Sequence, residues 1–144
     1  MANLYSQRTY DAATLIRALG AAITATETGS VILDIGAGLA DGDLVIDYSA
    51  LDAATGDEAY HFMLEGSPDA TFGTAGNIMV VAQLLVGGAT ATAPNGAADA
   101  AAGRLLVPFR NERNGTIYRY LRLYTKLAGT SPSIIFQAFL AKDE

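Results

Sequence analysis

The chain has 144 residues, a net charge of −6 and no cysteine, and 51% of its residues are apolar against 17% charged. That is the size and composition of one folded domain with a core of its own, and it excludes disulfides, thiolate catalysis and cysteine-bound zinc or iron–sulfur centres. No run approaches the ~18 consecutive apolar residues of a membrane-spanning helix, so no membrane partner is expected. Charge is unevenly spread: residues 18–103 carry eleven acidic side chains and no Lys or Arg. Six basic residues then fall between Arg104 and Lys126, opposed only by Glu112. The overall acidity argues against nucleic acid as the main partner.

In chain order, Asp11 can cap a short helix with Leu15, Ile16 and Leu19 on one face and Gly20 ending it. The same stretch reads equally well as an extended arm, so residues 1–29 are taken as an N-terminal arm or short helix. Residues 30–144 read as one β-domain. Val31, Leu33 and Ile35 alternate until Gly36-Ala37-Gly38 stops the run. Asp41-Gly42-Asp43 is a turn signal before the alternation of Leu44, Ile46 and Tyr48. Tyr60, Phe62 and Leu64 alternate with His61, Met63 and Glu65. Ile78–Val86 is apolar on both parities apart from Gln83, which predicts burial on both faces. A long loop is expected near 87–103. Leu105, Val107 and Phe109 form the next run, where Pro108, lacking an N–H, points to an edge or a bulge. Asn114-Gly115 is a hairpin turn leading to the tyrosine-rich run Ile117–Thr125. Ile134, Phe136, Ala138 and Leu140 close the series. Seven or eight such strands predict an all-β fold, an antiparallel β-sandwich of jelly-roll type.

Motifs for chemistry are weak. Val31–Ala40 looks like the glycine-rich strand–turn of Rossmann-type methyltransferases, yet the next strand begins near Leu44 and leaves no room for the required helix. Asp41, Asp43 and Asp47 lack the ligand count of a calcium loop. His61, the one histidine, has no cysteine partner and no nucleophile-elbow string to serve. No catalytic residue, metal site or cofactor is therefore assigned, and the chain reads as a non-enzyme. Tyr118, Tyr120 and Tyr124, with Arg119 and Arg122 beside them, can form an aromatic and basic face. Tyr118, Tyr120, Arg122 and Tyr124, with Arg110 and Arg113 near the hairpin turn, are the candidate interface residues, since Tyr and Arg are enriched at protein–protein hot spots.

Several segments resemble the capsid decoration, or cement, proteins of tailed bacteriophages. They are Ala22-Ile23-Thr24-Ala25-Thr26 followed by Leu33-Asp34-Ile35-Gly36, the strand near Tyr60–Leu64, the run Tyr118–Leu123, and Ala128–Ile134 before Phe139-Leu140. The resemblance implies a jelly-roll-like domain, made in the host cytoplasm, that sits on the capsid exterior of the virion. There it would bridge major capsid proteins and associate with itself as a homodimer or homotrimer. Another head or tail structural protein, or a carbohydrate-binding β-sandwich, is the alternative reading.

Overall fold

The computed structural model describes residues 12–87 and 102–142. Eleven strands follow one another: β1 (Leu15–Arg17), β2 (Glu27–Thr28), β3 (Leu33–Asp34), β4 (Asp41–Leu51), β5 (Ala59–Ser67), β6 (Met79–Gly87), β7 (Gly103–Arg110), β8 (Glu112–Arg113), β9 (Thr116–Ile117), β10 (Tyr120–Ala128) and β11 (Ile134–Lys142). All pairings are antiparallel. One sheet has the order β1-β11-β4-β7, and the other β2-β10-β5-β6 with β3 also on β10. Taking β2 and β3 as one interrupted strand, the chain folds back on itself. The first strand pairs with the last, the second with β10, β4 with β7, and β5 with β6. A double-sheet wrapping of this kind is a jelly roll.

The period-2 pattern explains the core. Phe62 and Leu64 from β5, Leu121 and Leu123 from β10, Leu44 and Ile46 from β4, and Phe136, Ala138 and Leu140 from β11 are all buried in one cluster between the sheets. Phe62 and Phe136 meet across the sandwich edge to face, centroids 5.3 Å apart and planes at 74°. Opposite parity in the first sheet gives a second, smaller cluster of Val45, Phe139 and Ala141 with Leu15, on the far side of β4 and β11 from the main core. At one border Arg17 of β1 lies 4.2 Å over the Phe136 ring, donates to the Phe136 carbonyl and pairs with Glu27 of β2 at 2.9 Å. One arginine thus ties the two sheets together.

Several expectations are corrected. The N-terminal helix is absent from the described residues: a single 3-10 turn, Ala12–Thr14, leads into β1. Asp11 lies outside them. β1 and β2 fall within 1–29 and belong to the sandwich, so a boundary at 29/30 does not separate an arm from a domain. The three-residue β1 gains its partners from β11 rather than from local periodicity, which is why the helical reading misled. Val31–Ile35 yields only the two-residue β3, with Val31 and Ile32 exposed. Asp41-Gly42-Asp43 is the start of β4 and not a turn. Gly42 is needed there because a Cβ would strike the Ala141 carbonyl oxygen of β11. Ile78–Val86 is not buried on both faces: β6 is a border strand, with Leu85 51% and Met79 36% exposed. The loop expected near 87–103 lies largely outside the described residues, which resume at 102.

Pro108 does sit on a border strand, since among the described residues β7 pairs with β4 alone. Asn114 and Gly115 have φ of 51° and 81°, the positive pair that a type I′ turn requires. That turn closes the small β8–β9 ribbon. It does not join the two long runs as one hairpin, because β7 and β10 lie in different sheets.

Candidate interaction face

β10 places Leu121, Leu123 and Thr125 in the interior, so Tyr120, Arg122, Tyr124 and Lys126 face outward by alternation. Register sets their neighbours. Tyr120 lies between Asp34 and Ser67, Arg122 beside Glu65, Tyr124 in a row with Met63 and Gln83, and Lys126 in a row with His61 and Leu85. The outer face of the second sheet is therefore a band of half-exposed aromatic, apolar and charged side chains. His61 belongs to it, with Nε2 3.0 Å from the Gln83 side-chain oxygen.

The six candidate residues do not form one cluster. Tyr120 and Tyr124 lie on this face, half-exposed. Arg122 is on it too but is committed. Its Nε is 2.7 Å from Glu65, and its guanidinium lies 4.3 Å over the ring of buried Phe72 from the β5–β6 connection. Tyr118 is buried, a correction to its reading as a surface residue. The chain breaks step between β9 and β10, and the Tyr118 N–H donates to the Asn111 carbonyl at 2.7 Å. This turns the ring inward, where a Cβ on Gly66 would come within 2.6 Å of the Tyr118 Cβ. Arg110 and Arg113 are elsewhere. With Val81, Pro108 and Glu112 they line an open cleft of about 470 Å³ beside the β8–β9 ribbon. Arg113 donates to the Val81 carbonyl of β6, so β5 stands between its anchor and β10.

Sequence reading missed Lys126, and it set Arg119 beside the tyrosines without counting it among the six candidates. Arg119 grips Asp34 through two bonds of 2.7 and 2.8 Å and lies 5.3 Å from the Tyr120 ring centre. The alternation that named Tyr120 and Tyr124 also names Lys126. Arg119 was legible as a neighbour of the tyrosines, but its partner Asp34, 85 residues away, was not. Elsewhere, Asp47 is held by Arg104 at 2.6 and 2.8 Å, and Asp41 lies 3.9 Å from Arg110. Among the described residues no three His, Asp or Glu side chains gather as a metal-binding group. The glycine-rich string is likewise a local turn: the Asp34 carboxylate accepts from the Gly36 N–H at 3.0 Å.

The carboxylates of this shell titrate low. The Arg119 guanidinium, aided by the Gly36 N–H, pulls Asp34 from its ordinary 3.8 to about 2. Arg104 lowers Asp47, and bonds from Thr130, Thr55 and Thr71 lower Asp57, Glu58 and Asp69. A carboxylate depressed on folding contributes stability above its unfolded value and loses it as pH falls through the folded one. The melting temperature is therefore expected to hold from neutral pH to about 5 and to fall steeply between about 4 and 2. Circular dichroism melts across that range check this, and a flat profile down to about pH 2 would contradict it.

Among the described residues, no helix is long and apolar enough to cross a membrane. No family model, curated protein or solved structure matches the chain.

Proposed function

We propose that this protein decorates and stabilises a bacteriophage capsid from outside, bridging neighbouring major capsid proteins. The observation that carries the reading is the outer face of β10, where Tyr120 and Tyr124 stand half-exposed on a stiff double sheet. Large aromatics with two rotatable bonds give contact area at little entropic cost, which suits a docking surface. Arg122, held by Glu65 and Phe72, stands between the two tyrosines with its side chain fixed on this face. Two of the segments that resemble cement proteins, Tyr60–Leu64 and Tyr118–Leu123, fall in β5 and at the start of β10, strands of this face. Repetition over a capsid lattice multiplies modest contacts into firm attachment.

Co-sedimentation with expanded heads of the phage that encodes the chain tests the proposal. Saturable binding at a fixed copy number per head is expected. Tyr120→Ala with Tyr124→Ala should weaken it at least about ten-fold, as hot-spot truncation does, with the fold intact. Wild-type protein that stays in the supernatant would overturn the reading.

A further inference from the structure

The borders of the two sheets are unequally protected. On one side of the sandwich β1 is only three residues long, and β2 and β3 two each. On the other side, β7 carries Pro108, which offers no N–H, and the charged Arg104 and Arg110. Short strands, proline and charge are the devices that keep a sheet edge from pairing with another chain. β6 has none of these three; its register with β5 shifts at Val81, where Arg113 also binds, and the stretch from Ala82 to Val86 carries no such protection. It is nine residues, Met-Val-Val-Ala-Gln-Leu-Leu-Val-Gly, without proline or charge. Among the described residues it is laddered only to β5. Arg113 caps one carbonyl, that of Val81. The strand is also more apolar than its position requires, since Leu85 and Met79 remain exposed on it. A sequence written for burial on both faces has been left at an open border.

We propose that β6 pairs with β6 of a second copy, antiparallel about a two-fold axis, so that the two outer sheets run on as one. Self-pairing suits this strand because opposed residues in an uncharged strand bring no like charges together, whereas β7 would set arginines near arginines. A register centred near Leu84 places each Leu85 across from a Gln83 of the other copy, on the same outward face as His61 and Lys126. Exposed leucine is then covered, and the paired edge gains backbone hydrogen bonds. A closed two-fold contact of this type ends at the dimer and does not grow into fibres. A dimer is one of the two self-associations that the cement-protein resemblance implies; the surface assigned to it here is argued from β6 alone, and its test on purified protein is independent of capsid binding.

Sedimentation velocity on the full chain over a concentration series should show a reversible rise to twice the monomer mass. Gln83→Lys with Leu85→Lys should weaken that association at least about ten-fold, by setting like charges across the axis, without changing the far-ultraviolet spectrum. On the wild-type protein, hydrogen exchange should show β6 amides slowing as concentration rises, which keeps the test open if the double variant fails to fold. A monomer at every concentration, with β6 protection independent of concentration, would overturn the proposal and assign the edge to a cover within the same chain. A dimer untouched by the two lysines, or a trimer, would also overturn it.

Discussion

Phe136→Ala is expected to destabilise the sandwich by about 3–5 kcal/mol, the usual cost of emptying a buried phenylalanine site. Phe136 is fully buried, and its ring is engaged from two directions, by the edge-to-face ring of Phe62 and by the Arg17 guanidinium. β11 lies between β1 and β4, so neighbouring backbone cannot close the void without breaking a ladder. Urea unfolding followed by circular dichroism measures the loss. The Phe62→Ala, Phe136→Ala double variant should lose less than the sum of the singles by about 0.5–1.5 kcal/mol, the coupling of one aromatic pair. Strict additivity would mean that the two rings do not support each other. A loss below about 1 kcal/mol for Phe136→Ala would mean that the site is not the packed centre described.

Asn111→Ala should cost about 3 kcal/mol although the residue lies in a short link between strands. Its side chain is fully buried and fully used. Oδ1 accepts from the Ala40 N–H at 2.7 Å, and Nδ2 donates to the carbonyls of Gly38 and Tyr118 at 3.1 and 3.3 Å. Its backbone adds bonds to Ala40 and from Tyr118. Alanine would leave the interior Tyr118 carbonyl without this partner, at about 1–3 kcal/mol, and would turn the half-buried Ala40 N–H and the Gly38 carbonyl toward water, with a void in place of the amide. Asn111→Asp should be at least as damaging at neutral pH, because a carboxylate would face two carbonyl oxygens where the amide donated. Urea midpoints for both variants decide this. A midpoint shift too small for about 1 kcal/mol in the alanine variant would show that water replaces the amide.

The long strands were legible because each carries its own alternation. β5, β10 and β11 bury the parity that the apolar residues mark, and those residues form the core. Pro108 and the Asn114-Gly115 pair were legible because their conformational limits are local. What escaped was set by distant partners. β1 is a strand because β11 accepts it, and Gly42 sits in a strand because of the Ala141 carbonyl. Tyr118 points inward because Asn111 holds its N–H, so the alternation that names Tyr120 and Tyr124 fails two residues earlier. The outward parity of β10 was therefore legible only where register and sequence alternation agree. Exposure of β6 was hidden for a related reason: composition tells how apolar a strand is, but position in the sheet decides what covers it.

The central place of β11 also governs how the chain must be born. The last described strand is clamped between β1 and β4, and the Arg17–Phe136 contact spans 119 residues. During synthesis the first sheet lacks a middle member until Lys142 has emerged, so β1 and β4 wait with unpaired edges while everything between is made. Folding dominated by such distant pairings is slow. Acquisition of the native state is thus tied to the emergence of β11, and a chain halted before it would hold its first sheet split in two.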